Sequence, residues 1–559
     1  MTQPAAQTLV SALEQLPNDS ERGFRFLDPQ GQERNYPQRA IRAEAKRRAA
    51  LLLQHGLRKG DRVVVAVAQE DEFVLSFLGA VVAGLVPVPV SATPLLRAVD
   101  GHLGTLRHVS RASGARAVVV MERNRSLLGE LWDGQDFAPR LLSVEADLAG
   151  APQADVALPR VTPQDPCFVQ FTSGSTALPK GVTITHANLV RNARDFLGPS
   201  GLDRRDDDLG VSWLPLFHDM GLIGFILGTL ICDIPVVILP TAAFARNPRS
   251  WLETIHSVRG TITYAPNFAY GLAAKRLRER DLARLDLSCL RVAGCGAEPI
   301  NPDTMRAFAR RLQPTGFRAE ALLPSYGMAE ATLAITFHPH GTPLATDRVD
   351  SVALRAGRAT QSERVAQSTE LVSCGRPFPG HELRTVDEQG RKLGDRQVGE
   401  IVVRGPSVSP GYHNDPAASA ASFRNGWLHT GDLGYLAGGN LYICGRVKDL
   451  IIVRGANYYP QDIEWLVSSL EGVRRDNAIA FGVVQDGEER LVVAAECASA
   501  DAQRLREAIA ARVSEATGLA VARVSAVRIG ALPKTTSGKV QRRKTKQLFE
   551  EGKLEEHGP

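Results

Sequence analysis

Helix-length and strand-length hydrophobic patterns alternate through the first part of the chain. Residues 38–53 carry apolar positions at helical spacing, and short β-branched runs occupy 63–67, 117–120 and 235–239. Such alternation predicts strands sandwiched between helices, hence parallel sheets covered on both faces. Two apolar stretches, 73–92 and 220–240, reach membrane-spanning length. A Val-Pro-Val-Pro-Val run breaks the first, and Asp233 and Pro235 break the second. Each therefore reads as a buried helix followed by a buried strand, and no membrane span is expected.

From 375 to 442 the pattern changes to short strands separated by turn residues at 388–390, 405–406 and 425–426. A small β-rich subdomain is predicted there. Beyond Arg446 a compact region follows, with a strand at 450–453, a helix from about residue 461, a strand at 491–495 and a helix from about residue 502. No internal repeat or low-complexity tract is evident.

A chain of 559 residues exceeds what one hydrophobic core organises, so two or more domains are expected. With 66 basic and 61 acidic residues the net charge is only +5, which gives no general nucleic-acid footprint. The seven cysteines are scattered without a Cys-x-x-Cys pair, a pattern of free thiols in a reducing compartment. The first residues lack a basic start and an apolar run, so a cytoplasmic protein is expected.

Chemistry enters at residues 171–181, FTSGSTALPKG. Glycine lets backbone N–H groups approach an anion, Thr172, Ser173, Ser175 and Thr176 supply hydroxyls, and Lys180 supplies a compact positive charge. The spacing is not that of the Walker loop. Taken alone, the segment reads equally as a polyphosphate cradle or as a Ser/Gly turn.

Further motifs follow in order: LPLFHDMGL (214–222), GAEP (296–299), PSYGMAEAT (324–332), HTGDLGY (429–435), GRVKDLIIVRGANYYPQDIE (445–464) and PKTTSGKVQRRK (533–544). Together with the loop they resemble the adenylate-forming superfamily of acyl-CoA synthetases, adenylation domains and luciferases, over about residues 165–545. The resemblance implies an α/β fold in which a large N-terminal domain (1–446) of doubly wound α/β subdomains also holds the β-rich piece. A smaller, mobile α+β domain (447–559) would follow a hinge at Lys448 and Asp449.

The same resemblance implies the roles. A carboxylate attacking the α-phosphate of ATP brings two anions together, so the reaction needs positive charge and oriented donors. Lys539 would be the catalytic lysine, His218 would sit by the carboxylate and α-phosphate, and Glu330 would be the carboxylate linked to Mg2+, with Thr176 as a further metal contact. The nucleotide would contact 172–176, including Gly174, and Lys180. Tyr326 would lie against adenine, flanked by Ser325, Gly327 and Met328, with Gly296, Ala297 and Glu298 forming the opposite wall. Asp432 would take the ribose hydroxyls and Arg446 a second sugar contact.

Three features resemble the fatty acyl-AMP ligase branch: WLPLFHDMGLIG (213–224) with YAPNFAY (264–270), Ala177 in the phosphate loop, and a long connection from Tyr326 to Gly375. The resemblance reads the last as an insertion at about 335–372 that packs on the N-terminal domain and disfavours the CoA-using arrangement. The expected reaction activates a medium- or long-chain fatty acid with ATP and passes it to an acyl carrier protein on another chain. Met220, Gly221, Ile223, Phe225 and Phe268 are candidates for the fatty-acid pocket. The basic run Arg542, Arg543, Lys544 and Lys546 is a candidate docking face for an acidic carrier. Two alternatives stay open: a fatty acyl-CoA synthetase using free CoA, and a catalytically silent protein that binds ATP or acyl-adenylate. Retention of Lys539, Glu330 and Asp432 argues against the latter.

Overall fold

The structure is a computed structural model that describes all residues except 1–4, 18–19, 93–98, 133–135, 153–155, 173–177, 454–455, 486–487, 536–538 and 559. Among the described residues, the large region is built on two sheets. In the larger, the strands Leu322–Gly327, Val292–Cys295, Ile262–Ala265, Gly210–Ser212, Val236–Ile238 and Gly23–Leu27 lie side by side in that order, all parallel. Antiparallel strands close both edges: Glu33–Pro37 on one side, Ala334–Phe337 and Arg376–Pro377 on the other. The second sheet is parallel throughout, in the order Val86–Pro89, Arg62–Ala66, Ala117–Val120, Arg140–Ser143. Its valine-rich strands Val86–Pro89, Arg62–Ala66 and Ala117–Val120 are buried on both faces but for Arg62, as covered parallel sheets require.

Both stretches of membrane-spanning length resolve as the proline and aspartate breaks predict. The first is the helix Glu70–Val82 followed by the strand Val86–Pro89. The second is Asp219–Leu222, a π-helical turn Ile223–Leu227 and the helix Gly228–Ile231, then the strand Val236–Ile238. No helix among the described residues is long and apolar enough to cross a membrane. The π turn is a departure from the single helix that periodicity predicts, and such turns recur at functional sites. It brings Gly228 against Phe196, where an added Cβ would come within 2.6 Å of the ring.

The β-rich piece is an antiparallel sheet of Glu382–Val386, Gly399–Arg404, Phe423–Arg424, Trp427–Ala437 and Asn440–Arg446. Its limits differ from the predicted 375–442. Arg376–Pro377 belongs to the large sheet, held beside Phe337 at Gly375, where φ is +74° and a Cβ would overlap the Phe337 carbonyl. At the other end the last strand runs on to Arg446.

The C-terminal region is a three-stranded sheet, Val473–Gln485, Glu488–Cys497 and Val521–Val527, carrying the helices Pro460–Ser468, Ala502–Thr517 and Arg542–Glu550. The insertion is not an irregular loop. Thr346–Asp350 pairs antiparallel with Ser368–Val372, with the short helix Ser351–Arg355 between them. Its buried Val349, Leu354, Ala359 and Leu371 share a core with Tyr435, Tyr442, Cys444 and Tyr459. It therefore packs on the β-rich sheet and also on the C-terminal region. There the Arg355 guanidinium donates to the Thr517 carbonyl at 2.8 Å and lies 5.0 Å over the Tyr458 ring.

Candidate active site

Open α/β sheets bind ligands beyond the carboxyl ends of their strands, and the motif residues collect there. His218 follows the strand Gly210–Ser212, Gly296–Glu298 follow Val292–Cys295, and Ser325 to Gly327 end Leu322–Gly327. The YAPNFAY segment braces this edge. The Tyr270 hydroxyl donates to the Gly294 carbonyl at 2.6 Å, and the Phe268 N–H donates to Glu298 Oε1 at 2.7 Å. At Gly296 a Cβ would stand 2.8 Å from Ser325 Oγ, so any side chain there would displace that hydroxyl. Ser325 itself donates to the Cys295 carbonyl at 3.1 Å.

Lys539 arrives from the C-terminal region and its ammonium donates to the Ala297 carbonyl, 242 positions away in the chain. Ala297 adopts φ +68°, a conformation side chains seldom take, at the point where its carbonyl meets the lysine. Burial holds Lys539 below the ordinary lysine range, with Arg446 adding to the effect and Glu298 and Asp219 opposing it. Burial, together with nearby Lys539, also pushes His218 down to about 4, so its imidazole is neutral at pH 7.

Asp432 and Arg446 face each other in the ladder between Trp427–Ala437 and Asn440–Arg446. Arg446 Nε donates to Asp432 Oδ1 at 2.9 Å and the Tyr326 hydroxyl to Oδ2 at 2.8 Å. Three residues predicted for the nucleotide thus form one connected group. Glu330 sits on the turn Ala329–Ala331, and Oε1 accepts the Tyr412 hydroxyl at 2.8 Å. Burial raises its carboxyl above the usual range and Asp219 adds to this, while the Tyr412 hydroxyl lowers it. The turn is anchored from outside: Thr332, at φ +74°, donates to the Ser407 carbonyl at 2.6 Å, and the Ser409 N–H donates to the Glu330 carbonyl at 2.8 Å.

Lys180 pairs with Thr172 in the hairpin that carries the glycine-serine loop, and its ammonium lies 5.3 Å over the Tyr412 ring. Ser173, Gly174, Ser175, Thr176 and Ala177 lie outside the described residues. Met328 is half-buried against the core. The hinge candidates lie in the turn Val447–Asp449, where Asp449 accepts Arg542 Nη1 at 2.7 Å. Arg542 also reaches Glu464 Oε1 at 2.7 Å and the Ala480 carbonyl at 3.0 Å, which withdraws it from the basic docking face.

A mainly apolar cavity opens among these groups. Its mouth is formed by Asp219, Met220, Gly296, Ala297, Ser325 and Tyr326, and Phe225, Tyr264, Leu333 and Phe337 continue its wall. Of the pocket candidates, Met220 and Phe225 line it. Ile223 is wholly buried in packing, Gly221 presses on the Pro215 carbonyl, and Phe268 packs against the core beside the mouth. Two participants escape the sequence reading. Tyr412, in PGYHND, bonds Glu330 from 82 positions away, and Asp219 is the one charged side chain in the described lining.

With Glu330 in place and the Asp219 carboxylate acting on it, the donor set suits a hard cation held mainly by phosphate oxygens and water. No group of three or more His, Cys, Asp or Glu able to hold a metal occurs among the described residues.

Residues 25–413 match the family described as AMP-binding enzyme, and 448–558 match that described as Disco-interacting protein 2-like, AMP domain. This chain belongs to the adenylate-forming enzymes, in their fatty acyl-AMP ligase branch. It is 36% identical to a Caulobacter vibrioides protein bearing an acyl-CoA synthetase name, over 92% of this chain and 90% of that one. It is 32% identical to the medium-chain-fatty-acid–[acyl-carrier-protein] ligase JamA of Moorena producens, over 100% of this chain and 97% of JamA. A solved structure from a study of fatty acyl-adenylate ligases of E. coli and L. pneumophila superposes with a TM-score of 0.91 at 35% identity, covering 98% of each chain. The family activity is ATP-dependent adenylation of a fatty acid.

Proposed function

We propose that the apolar cavity holds the acyl chain with its carboxylate at the mouth between His218, Ala297 and Lys539. A carboxylate oxygen attacks the α-phosphorus of ATP, the bond to the bridging oxygen of pyrophosphate breaks, and acyl-adenylate and pyrophosphate result. The observation that carries this reading is the Lys539 ammonium reaching the Ala297 carbonyl at the mouth of the cavity. A positive charge there meets the developing negative charge without reorganisation. Neutral His218 donates a hydrogen bond to an oxygen of the carboxylate or α-phosphate. Tyr326 covers one face of the adenine, and Asp432 with Arg446 receives the ribose.

Lys180 and Thr172 stand at the two ends of the hairpin loop and place the outer phosphates. Mg2+ would be held at Glu330 through phosphate oxygens and water, where it offsets phosphate charge. The Tyr412 hydroxyl favours the ionised form of Glu330 and so opposes the burial that raises its carboxyl.

In the second half-reaction the phosphopantetheine thiolate of a carrier protein on a separate chain attacks the acyl carbonyl. The carbon–sulfur bond forms, the acyl–phosphate bond breaks, and AMP leaves. The insertion disfavours the CoA-using arrangement, because the Arg355 side chain and the Leu354 carbonyl tie the C-terminal region into the pose that presents Lys539. Incubation with ATP, Mg2+ and a series of fatty acids, followed by mass spectrometry, tests the reading. Acyl-adenylate is expected, with acyl transfer to pantetheinylated carrier protein and little acyl-CoA in excess CoA. Efficient acyl-CoA production would favour the synthetase reading, and failure to form any adenylate would leave a binding protein.

A further inference from the structure

The far end of the cavity bears on acyl-chain length, an inference that rests on the fatty-acid reading above. The lining divides by position along the sheet. Asp219, Ala297, Ser325 and Tyr326 lie beyond or at the carboxyl ends of the parallel strands, whereas Gly210 and Ile262 are the first residues of Gly210–Ser212 and Ile262–Ala265. The cavity therefore runs along the strands from their carboxyl ends to their amino ends. The three steps from Ile262 to Ala265 span about 10 Å. An extended alkyl chain of ~1.5 Å bonds advances about 1.3 Å per carbon, so this stretch holds on the order of eight carbons.

Leu202 lies at the far edge with Phe196, Leu197 and Ile234, and is only 2% exposed. Its position is fixed from several sides. In the turn after the helix His186–Leu197, the Leu202 N–H donates to the Phe196 carbonyl at 2.8 Å, Asp203 N–H to Gly198 at 2.9 Å and Arg204 N–H to Leu197 at 3.0 Å. Gly201 leaves no room for a side chain, since a Cβ would meet the Phe196 carbonyl at 2.2 Å. The Leu202 carbonyl accepts Arg291 Nη1 at 2.8 Å, and Arg291 is itself buried in an ion pair with Asp208, its Nε donating to Oδ1 at 2.7 Å. Moving this floor would strip a partner from a buried charge, which is far costlier than shifting an apolar side chain alone. Arg291 also leads directly into the strand Val292–Cys295, whose other end becomes the Gly296–Glu298 wall of the mouth. One strand thus sets the distance between the two ends.

We propose that Leu202 is the acyl-chain stop, and that the preferred substrate is a medium-length unbranched fatty acid whose terminal methyl group abuts it. The opposite control is Gly224, which lines the same cavity and whose Cβ would have only Leu333 Cδ2, at 3.6 Å, within contact range. A side chain there enters the cavity without opposing backbone.

The test is the chain-length profile of acyl-adenylate formation, read by mass spectrometry with saturated acids from hexanoate to octadecanoate. The unmodified enzyme should peak at medium length and fall steeply beyond. Leu202→Ala should move the peak to longer acids by about two carbons, roughly the length of the isopropyl group removed. Gly224→Val and Leu202→Phe should move it to shorter ones, and these decide the matter should Leu202→Ala fail to fold. A peak at octadecanoate, or folded variants with an unmoved profile, overturns the inference alone. Absence of adenylate from every acid overturns it together with the adenylation reading.

Discussion

Arg542 donates to Asp449 at 2.7 Å, joining the helix Arg542–Glu550 to the turn at the candidate hinge. Lys539 precedes Arg542 by three residues, so the anchor of the loop proposed as catalytic and the proposed pivot of the small region are one ion-paired cluster, completed by Glu464 at 2.7 Å. The guanidinium is largely enclosed, and loss of one partner from such a cluster leaves charge uncompensated. Arg542→Ala should therefore lower adenylation about tenfold or more, as Lys539 loses its fixed approach. Acyl-adenylate formation under single-turnover conditions checks this; an undiminished rate would show the cluster to be incidental to the pose.

Lys539→Ala removes the charge at the reacting phosphate and should reduce acyl-adenylate formation on the order of a thousandfold, with the fold retained. Circular dichroism and a thermal melt establish the second half of that statement. Near-normal adenylation by the folded variant would refute the role of Lys539.

The proposed catalytic region was legible where its motifs lie in contiguous strings. PKTTSGKVQRRK marked Lys539, and HTGDLGY with GRVKD marked Asp432 and Arg446, which the ladder then sets face to face. The alternation of helix and strand likewise disclosed the sheets, because covered parallel strands need continuous apolar runs. Contacts between distant segments left no such trace. Nothing in PGYHND says that Tyr412 reaches Glu330, and the basic run after Lys539 reads as a solvated face although Arg542 turns inward. The insertion, with both charge signs, hides its apolar Val349, Leu354 and Leu371 among polar neighbours, so its hairpin emerges only once Tyr435, Tyr442 and Tyr459 are beside it.

Tyr412→Phe removes the hydroxyl from Glu330, and a hydrogen bond to a charged group contributes about 1.5–3 kcal/mol. Because that hydroxyl lowers the carboxyl, its loss moves Glu330 towards the neutral form. The expected result is a raised requirement for Mg2+, measured as the half-saturating concentration in pyrophosphate exchange, with a smaller effect at saturating metal. An unchanged Mg2+ dependence would count against Glu330 as the metal-linked carboxylate.

Arg355→Ala should loosen the insertion from the C-terminal region by removing its bond to Thr517 and its stacking on Tyr458. A bias of a few kcal/mol between two arrangements makes one of them rare, so weakening it repopulates the other. Acyl-CoA output in the presence of CoA should rise several-fold relative to acyl-adenylate. Shortening the segment between 347 and 370 should do so more strongly, unless CoA itself finds no site.

The alkaline side of the pH–rate profile should report Lys539. Only the ammonium stabilises the reacting phosphate, so activity is lost as pH rises through the lysine's own titration. Burial and Arg446 hold that titration below 10.5, and the limb should accordingly fall at lower pH than an exposed lysine would give. Asp219 opposes this displacement, because its negative charge favours the ammonium. Asp219→Asn deletes the opposing charge, and the alkaline limb should move further down in pH. Lys539→Arg should push it out of the accessible range while lowering the maximal rate, since a planar guanidinium does not replace a compact ammonium. Pyrophosphate exchange measured across pH at subsaturating ATP and fatty acid, where the profile reports the unliganded enzyme, resolves the two shifts. A limb that stays in place in Asp219→Asn would mean that the mouth carboxylate does not act on Lys539.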